Sequence, residues 1–325
     1  MIMSFIPKIK SNITIYATKK TTNILDGSYK SIYRGKTMNF EDLREYVVGD
    51  NIKDIDWKAS SRSNNLLVRQ YIAEKKHNIM FIFDSGKKVS ADTLDLETKK
   101  NVMIMSAGIL AYIANKNGDY VGAIYNQNNL VKFFPFKSSV YNIEKILSSY
   151  DNDMNLADES YLDKTLEYVQ KNIRRRMIIF ILTDLEGMEK INEDILKKLK
   201  LQHDVLLINV SDADISGELA YNIEDEYYFP KLILDDSKLA EIEKNAKKEV
   251  FEKCEKTFKK YGVPVVTIDS SKQCVLKIIE LLERYRDASH SWFTKSVFFF
   301  FNTNNYIIYF VSCSYIFIFK KDTTK

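Results

Sequence analysis

Asp84 and Asp184 are the residues from which any chemistry of this chain would start. Asp84 closes the apolar run Ile79–Phe83 and is followed by the Ser85-Gly86 corner and by Lys87 and Lys88. Asp184 closes a second run, Met177–Thr183, with Gly187 three residues on. Short continuous apolar runs bounded by turn residues read as strands buried on both faces. A carboxylate at the carboxyl end of such a strand lies where open α/β sheets bind ligands. Two of them at one edge predict a polar crevice between the strands. The plainer alternative is that each aspartate caps a helix amino terminus or pairs with a lysine structurally.

Other chemistries have less support. His77, His203 and His290 are the only histidines, and none stands in a metal-ligand or nucleophile-activating motif. Cys254, Cys274 and Cys313 are far apart and lack the spacing of a zinc or redox site. A reducing cytoplasm accounts for them most simply. The net charge of +4 is dispersed, with no concentrated patch for nucleic acid. Arg174-Arg175-Arg176 reads as a solvated helix end suited to the negative pole of the helix dipole, with an anion or partner contact as the alternative. Asp50, Asp54 and Asp56 fail as a calcium loop, because the sixth position from Asp50 is not glycine and Ser61 stands at the twelfth. Buried ion pairs of these aspartates with Arg44 and Arg62, shielded by Trp57, are the reading preferred here; a partner-binding surface is the other.

The elements that must position these groups follow from periodicity. Ile13–Ala17 suggests a short strand, and Leu66–Ile72 an extended segment. Met103, Ala107, Leu110, Ala111 and Ala114 recur at three and four, predicting a helix over Leu94–Asn117 that covers a sheet. Tyr120–Asn126 and Leu130–Phe136 flank an Asn128-Asn129 turn, and Pro135 places the second strand at an edge. Tyr120, Phe133 and Phe134 read as core. Helices are expected at Val140–Tyr150, Tyr161–Ile173, Asn192–Leu201, Ser237–Tyr261 and Cys274–Tyr285. Further strands are expected at His203–Val210 and Val263–Ile268, with a short extended pair at Glu226–Phe229 and Lys231–Leu234. Alternating strands and helices mean a doubly wound, mostly parallel α/β sheet.

Both ends differ from this body. The first residues, MIMSFIPKIKSN, lack the sustained apolar core of a secretion signal. Val297–Phe319 is almost uncharged and nearly long enough to span a bilayer, but Asn302, Asn304 and Asn305 interrupt it. A membrane tail, a read-through of an AT-rich message and a packed hairpin all remain open. The expected organisation is an amino-terminal extended segment over 1–76, the α/β domain over 77–290 and an apolar tail over 291–325.

Several motifs together carry a resemblance. Gly27-Ser28-Tyr29, Arg44-Glu45-Tyr46, Gly49-Asp50, Ile55-Asp56-Trp57, Ser60 and Arg62 precede FIFDSGKK, GDYVGAIYN and ILTDL. Over Gly27–Arg286 the chain resembles domain of unknown function family 58, bacterial proteins with a von Willebrand factor A-like domain. The resemblance implies a Rossmann-like fold with the amino-terminal segment packed on it. It also implies a non-enzymatic adaptor or co-chaperone working with a MoxR-type AAA+ ATPase. Its usual metal-ion-dependent adhesion site would draw on Asp84, Ser160 and Asp184, while Gly86 and Lys88 stand where two serines are usual. The metal site is therefore degenerate, and Lys88 or Lys87 is expected to take the ion's place beside Asp84 or Asp184. An Mg²⁺ ion on the same residues is the alternative.

The function expected is thus a cytoplasmic protein-interaction module. Asp84, Ser85, Gly86, Lys88, Ser160 and Asp184 would form its partner-binding crevice, and Arg44, Asp50, Asp56, Trp57 and Arg62 its amino-terminal signature. A metal-assisted phosphoesterase using Asp84, Asp184 and Asp50 is a rival. So is a membrane-anchored scaffold using the tail.

Overall fold

A computed structural model describes residues 4–16, 19–34, 42–49, 52, 55–63, 65–70, 76–154, 159–214, 221–222, 227–228, 237–295, 302–303, 306–311 and 315–320. The chain divides into two compact units, 1–32 with 77–325, and 33–76. Asp50, Asp54, Cys313 and the extended stretch expected at Lys231–Leu234 lie outside the described residues.

The larger unit is built on a six-stranded sheet. Its strands are β3 (Asn78–Phe83), β4 (Tyr120–Gln127), β5 (Leu130–Lys137), β6 (Ile178–Asp184), β7 (Asp204–Val210) and β10 (Val265–Ile268), in the order β10-β7-β6-β3-β4-β5. All neighbours are parallel except β4 and β5, which form the expected hairpin through Asn128 and Asn129, both at positive φ. β3 and β6 are buried along their whole length. The chain leaves β3 for β4 and β5 on one side and returns to β6 on the other. Their carboxyl ends therefore meet at a topological switch point.

Helices cover both faces. α6 (Leu162–Asn172), α7 (Leu185–Lys190), α8 (Glu193–Gln202) and α9 (Ser237–Lys260) bury Leu166, Met188, Leu199 and Phe258 against Met80, Ile82, Ile179 and Ile181. The opposite face carries Phe81, Phe83 and Phe180. Phe81 stacks on Phe180 with centroids 5.6 Å apart, and Phe83 on Tyr150 of α5 (Val140–Met154) at 4.5 Å. α4 (Lys99–Lys116) and α10 (Cys274–Lys295) complete this layer. The predicted first strand is instead helix α1 (Phe5–Tyr16), because Phe5, Ile6 and Ile9 fall on one helical stripe and are buried. The Glu144 carboxylate accepts from the Phe5 and Ile6 amides at 2.7 and 2.9 Å, and Ile9 packs against Gly108 of α4. α2 (Lys19–Arg34) follows, with Tyr29 donating to Asp119 at 2.7 Å. These helices group with the α/β body, so the amino-terminal part of the unit is helical rather than extended. Phe133, expected in the core, is 43% exposed because it lies on edge strand β5.

The smaller unit holds the antiparallel pair β1 (Asp42–Glu45) and β2 (Leu67–Gln70), with helix α3 (Trp57–Ser63) between them. Asp56 accepts from the Lys58 and Ala59 amides at 3.0 Å and so caps α3. Trp57 is 63% exposed and Arg62 is exposed, so Trp57 does not provide the expected shield and Arg62 is not buried, while Asp50 and Asp54 lie outside the described residues.

β8 (Tyr221–Asn222) pairs antiparallel with β9 (Tyr227–Tyr228), which falls within the extended stretch expected at Glu226–Phe229. In the tail, β11 (Asn302–Thr303), β12 (Tyr306–Val311) and β13 (Tyr315–Lys320) pair antiparallel. Among the described residues no helix is long and apolar enough to cross a membrane.

Candidate functional site: a buried lysine and aspartate network

The register of the sheet brings the two aspartates together. Phe83 lies beside Leu182, and the Asp84 amide donates to the Leu182 carbonyl at 2.9 Å, extending the ladder by one step. Asp184 ends the neighbouring strand and caps α7, accepting from the Gly187 amide at 2.9 Å. Between them lies Lys88, delivered by a 3₁₀ turn over Lys87–Ser90. Its Nζ stands 2.9 Å from Asp84 Oδ2 and 2.8 Å from Asp184 Oδ1.

A second ammonium completes the arrangement. Lys99, in the first turn of α4, reaches Asp184 Oδ2 at 2.9 Å and also pairs with Asp212, just beyond β7. A cation there opposes the helix dipole and is tolerated because two carboxylates face it. The remaining Asp84 contacts are neutral donors: Ser160 Oγ at 2.6 Å and the Ser85 amide at 2.7 Å on Oδ1, and Thr183 Oγ1 at 2.5 Å on Oδ2. The Tyr150 hydroxyl donates to the Asp84 carbonyl at 2.8 Å. Every oxygen of the two carboxylates therefore has a donor.

Two glycines make room for this packing. A Cβ on Gly187 would collide with Thr183 Oγ1 and Asp84 Oδ2 and press on Lys88 Nζ. Gly86, at φ +99°, lies against the backbone of Glu159 and Ser160.

The electrostatics follow from burial. Asp84 is 0% exposed, Asp184 1%, Lys99 3% and Lys88 5%. Burial alone would raise the Asp184 carboxyl, but the ammoniums of Lys99 and Lys88 outweigh it and hold the group well below the usual carboxylate range. Burial likewise works to lower Lys88, and Asp84 with Asp184 reverses this and raises it. Lys99 is raised in the same way by Asp184 and Asp212. All three groups keep their charge across the neutral range.

Residues 42–219 match the model of a protein family described as "Protein of unknown function DUF58". This chain belongs to the DUF58 family. The matched span contains the whole network, from Asp84 to Asp212. Uncharacterized proteins of Mycobacterium tuberculosis and Mycobacterium bovis are 20% identical to this DUF58 chain over 60% of its length. The chain spans 61% of the length of those relatives. Solved structures of similar fold include an aerotolerance-related membrane protein from Bacteroides fragilis, at 13% identity and TM-score 0.39, covering 64% of this chain and 99% of that one. Another is a von Willebrand factor type A protein from Catenulispora acidiphila, at 7% identity and TM-score 0.36, covering 68% and 44%. The strand order and the single antiparallel edge strand give the DUF58 chain a doubly wound, mostly parallel, Rossmann-like fold.

Of the crevice residues expected from sequence, Asp84, Ser85, Lys88, Ser160 and Asp184 do converge, around Gly86. The expected opening is absent from the described residues. The two carboxylates face each other across an ammonium instead of facing solvent, so their charge is neutralised within the protein. The same contacts decide the fit of a metal. Magnesium requires oxygen ligands at about 2.0–2.1 Å with positions open to water. Here an ammonium occupies the place between Asp84 and Asp184, and the Ser160 and Thr183 hydroxyls donate to Asp84 rather than offering it a shared ion. The donor set does not fit a divalent cation. Asp84 and Asp184, two of the three carboxylates of the phosphoesterase reading, are likewise buried, and the third, Asp50, lies outside the described residues. Sequence reasoning missed Lys99, Thr183 and Asp212. The cation run Lys99-Lys100 at a helix start was the available signal for the first, since cations belong at the other pole.

Proposed function

We propose that this DUF58 protein is a non-enzymatic interaction module, an adaptor for an AAA+ ATPase of the MoxR type that the family resemblance implies. The observation that carries the reading is a firm apolar turn on the carboxyl edge of the sheet. Leu94 is 49% exposed and Leu96 80%, and Leu96 is held at φ 56°, a conformation unusual for a branched side chain. The turn is braced on all sides. Thr93 N donates to Glu97 O at 2.8 Å, Lys99 N to Ala91 O at 2.9 Å, and Ala213 N to Asp92 O at 3.0 Å. The Ser271 amide meets Glu97 Oε2 at 2.8 Å. Exposed leucines on a rigid, hydrogen-bonded turn have no part in the core, and pre-organised apolar anchors are what protein interfaces use.

In this reading Asp84, Ser85, Gly86, Lys88, Ser160 and Asp184 shape the edge and do not themselves touch the partner. Lys99 links the two parts, since its ammonium belongs to the network and its amide closes the turn. Binding of the purified ATPase to immobilised wild-type protein, and to a Leu94→Ser/Leu96→Ser variant, tests it. Wild type should bind, and the variant should lose about tenfold or more, corresponding to the loss of one or two anchor residues. Absence of binding by wild type removes the ATPase assignment. Equal binding by both removes the turn.

A further inference from the structure

We infer that the Lys88 ammonium is a permanent, covalently attached stand-in for a divalent cation, which makes this sheet edge independent of metal. The inference deepens the reading of the site as a shaping element, and it rests on contacts rather than on family pattern. Asp84 and Asp184 come from adjacent parallel strands, and their carboxylates converge on one point. Two converging buried carboxylates repel one another unless a cation lies between them. Lys88 Nζ lies at that point, 2.9 and 2.8 Å from one oxygen of each. Gly187 supplies the space, since any side chain there would press on Nζ.

Lys99 makes the substitution complete. It takes the second oxygen of Asp184, so that no carboxylate oxygen is left free to ligate an ion. The ammoniums of Lys88 and Lys99 then offset the charges of Asp84 and Asp184, and Asp212 adds a third, partly exposed carboxylate at the edge of the network. Entry of a dication would place two further positive charges beside Lys88. Position 88 is thus the one that decides between ammonium and metal. Position 86 is closed to a serine by its positive φ and by its contact with the Ser160 amide.

Calorimetric titration with Mg²⁺ and Mn²⁺, together with thermal melting in EDTA and in Mg²⁺, tests the stand-in on the intact chain. Wild type should give no saturable heat and the same melting temperature in both media. Lys88→Ser removes the ammonium and supplies a hydroxyl. It should gain saturable one-to-one binding and a melting temperature that rises with Mg²⁺, or should fold only when Mg²⁺ is present. Lys88→Met, which has neither charge nor oxygen, should gain less. Saturable binding by wild type that is lost in Asp84→Asn overturns the inference. So does a Lys88→Ser protein that folds without responding to either cation, or that stays unfolded in both media. These readouts involve no ATPase, so their failure is distinct from failure of the adaptor reading.

Discussion

Gly86 and Ser160 lie backbone against backbone: a Cβ at Gly86 would come within 2.7 Å of the Ser160 amide nitrogen. That contact seats the Ser160 hydroxyl on Asp84 Oδ1, 2.6 Å away. Gly86→Ala therefore meets two penalties, a positive φ of 99° and a clash with main chain that has no flexible end to move. The expected cost is about 1–3 kcal/mol, the range for one strained backbone site. Urea midpoints measure the cost. Faster amide exchange at Ser160 and Tyr161 would show that the clash acts where the geometry places it. An unchanged midpoint would mean that the loop yields freely.

Asp184 is the hinge of the charge network because it alone touches both ammoniums. Asp184→Asn leaves Lys88 with Asp84 and Lys99 with Asp212, two buried cations each short of a partner. Removing one member of a buried ionic group costs about 3–5 kcal/mol, most of it the desolvation of what remains. Adding Lys99→Met to Asp184→Asn should recover part of the loss, because one of the two buried cations short of a partner is gone. Denaturant unfolding of the two single variants and the double variant gives the coupling directly. Additive losses would show that the two side chains do not share their energy.

These residues also show how far the sequence can be read. Asp84 and Asp184 stood out because each interrupts an apolar run at its end, and sheet topology then forces them together. Lys88 stood out with Lys87 as a cation expected beside Asp84 or Asp184, and the structure sets Lys88 against both. Thr183 was hidden inside its own strand run, where a threonine reads as ordinary β-branched filling. Lys99 and Asp212 were hidden for a different reason. A charge at a helix start or in a loop reads as solvated, and its burial depends on contacts over 85 and 113 residues of sequence. The same limit made α1 look like a strand: Ile13 to Ala17 is β-branched and aromatic, while the helical stripe of Phe5, Ile6 and Ile9 lies upstream of it. Burial of the carboxylates also followed from partners that local pattern does not contain.

Stability should fall on acidification in two separable steps. Burial lowers the His203 pKa, so its contribution is complete above the unfolded histidine value of about 6.5 and declines as pH falls below it. Asp184 is also lowered on folding. Its contribution is therefore complete above an unfolded value of about 3.9 and is lost only as pH falls further, towards the depressed folded value. Lys88 and Lys99 are raised, so their share is complete below about 10.4 and is lost only as pH rises through the folded values. Urea midpoints across this range should decline gently below pH 6.5 and more steeply below about 4. His203→Gln should flatten the first decline and leave the second. A first decline that persists in that variant would assign it to another group.

The docking of α1 depends on one carboxylate placed at its amino end. Glu144 Oε1 and Oε2 take the amides of Phe5 and Ile6, two donors that no intrahelical carbonyl can satisfy. The negative charge also faces the positive pole of the helix dipole. Glu144→Gln keeps one acceptor and the shape but loses the charge, whereas Glu144→Ala loses both acceptors. The expected costs are below 1 kcal/mol for the first and about 1–2 kcal/mol for the second, the range for removal of an amino-terminal cap. Because Ile9 still packs against Gly108, α1 should remain docked and fray from its first turn. Hydrogen exchange should therefore quicken at Phe5 and Ile6 while the amides of β3 and β6 keep their protection. Loss of protection throughout the sheet in Glu144→Ala would show instead that α1 and the α/β core unfold as one unit, with the cap holding more than its own helix.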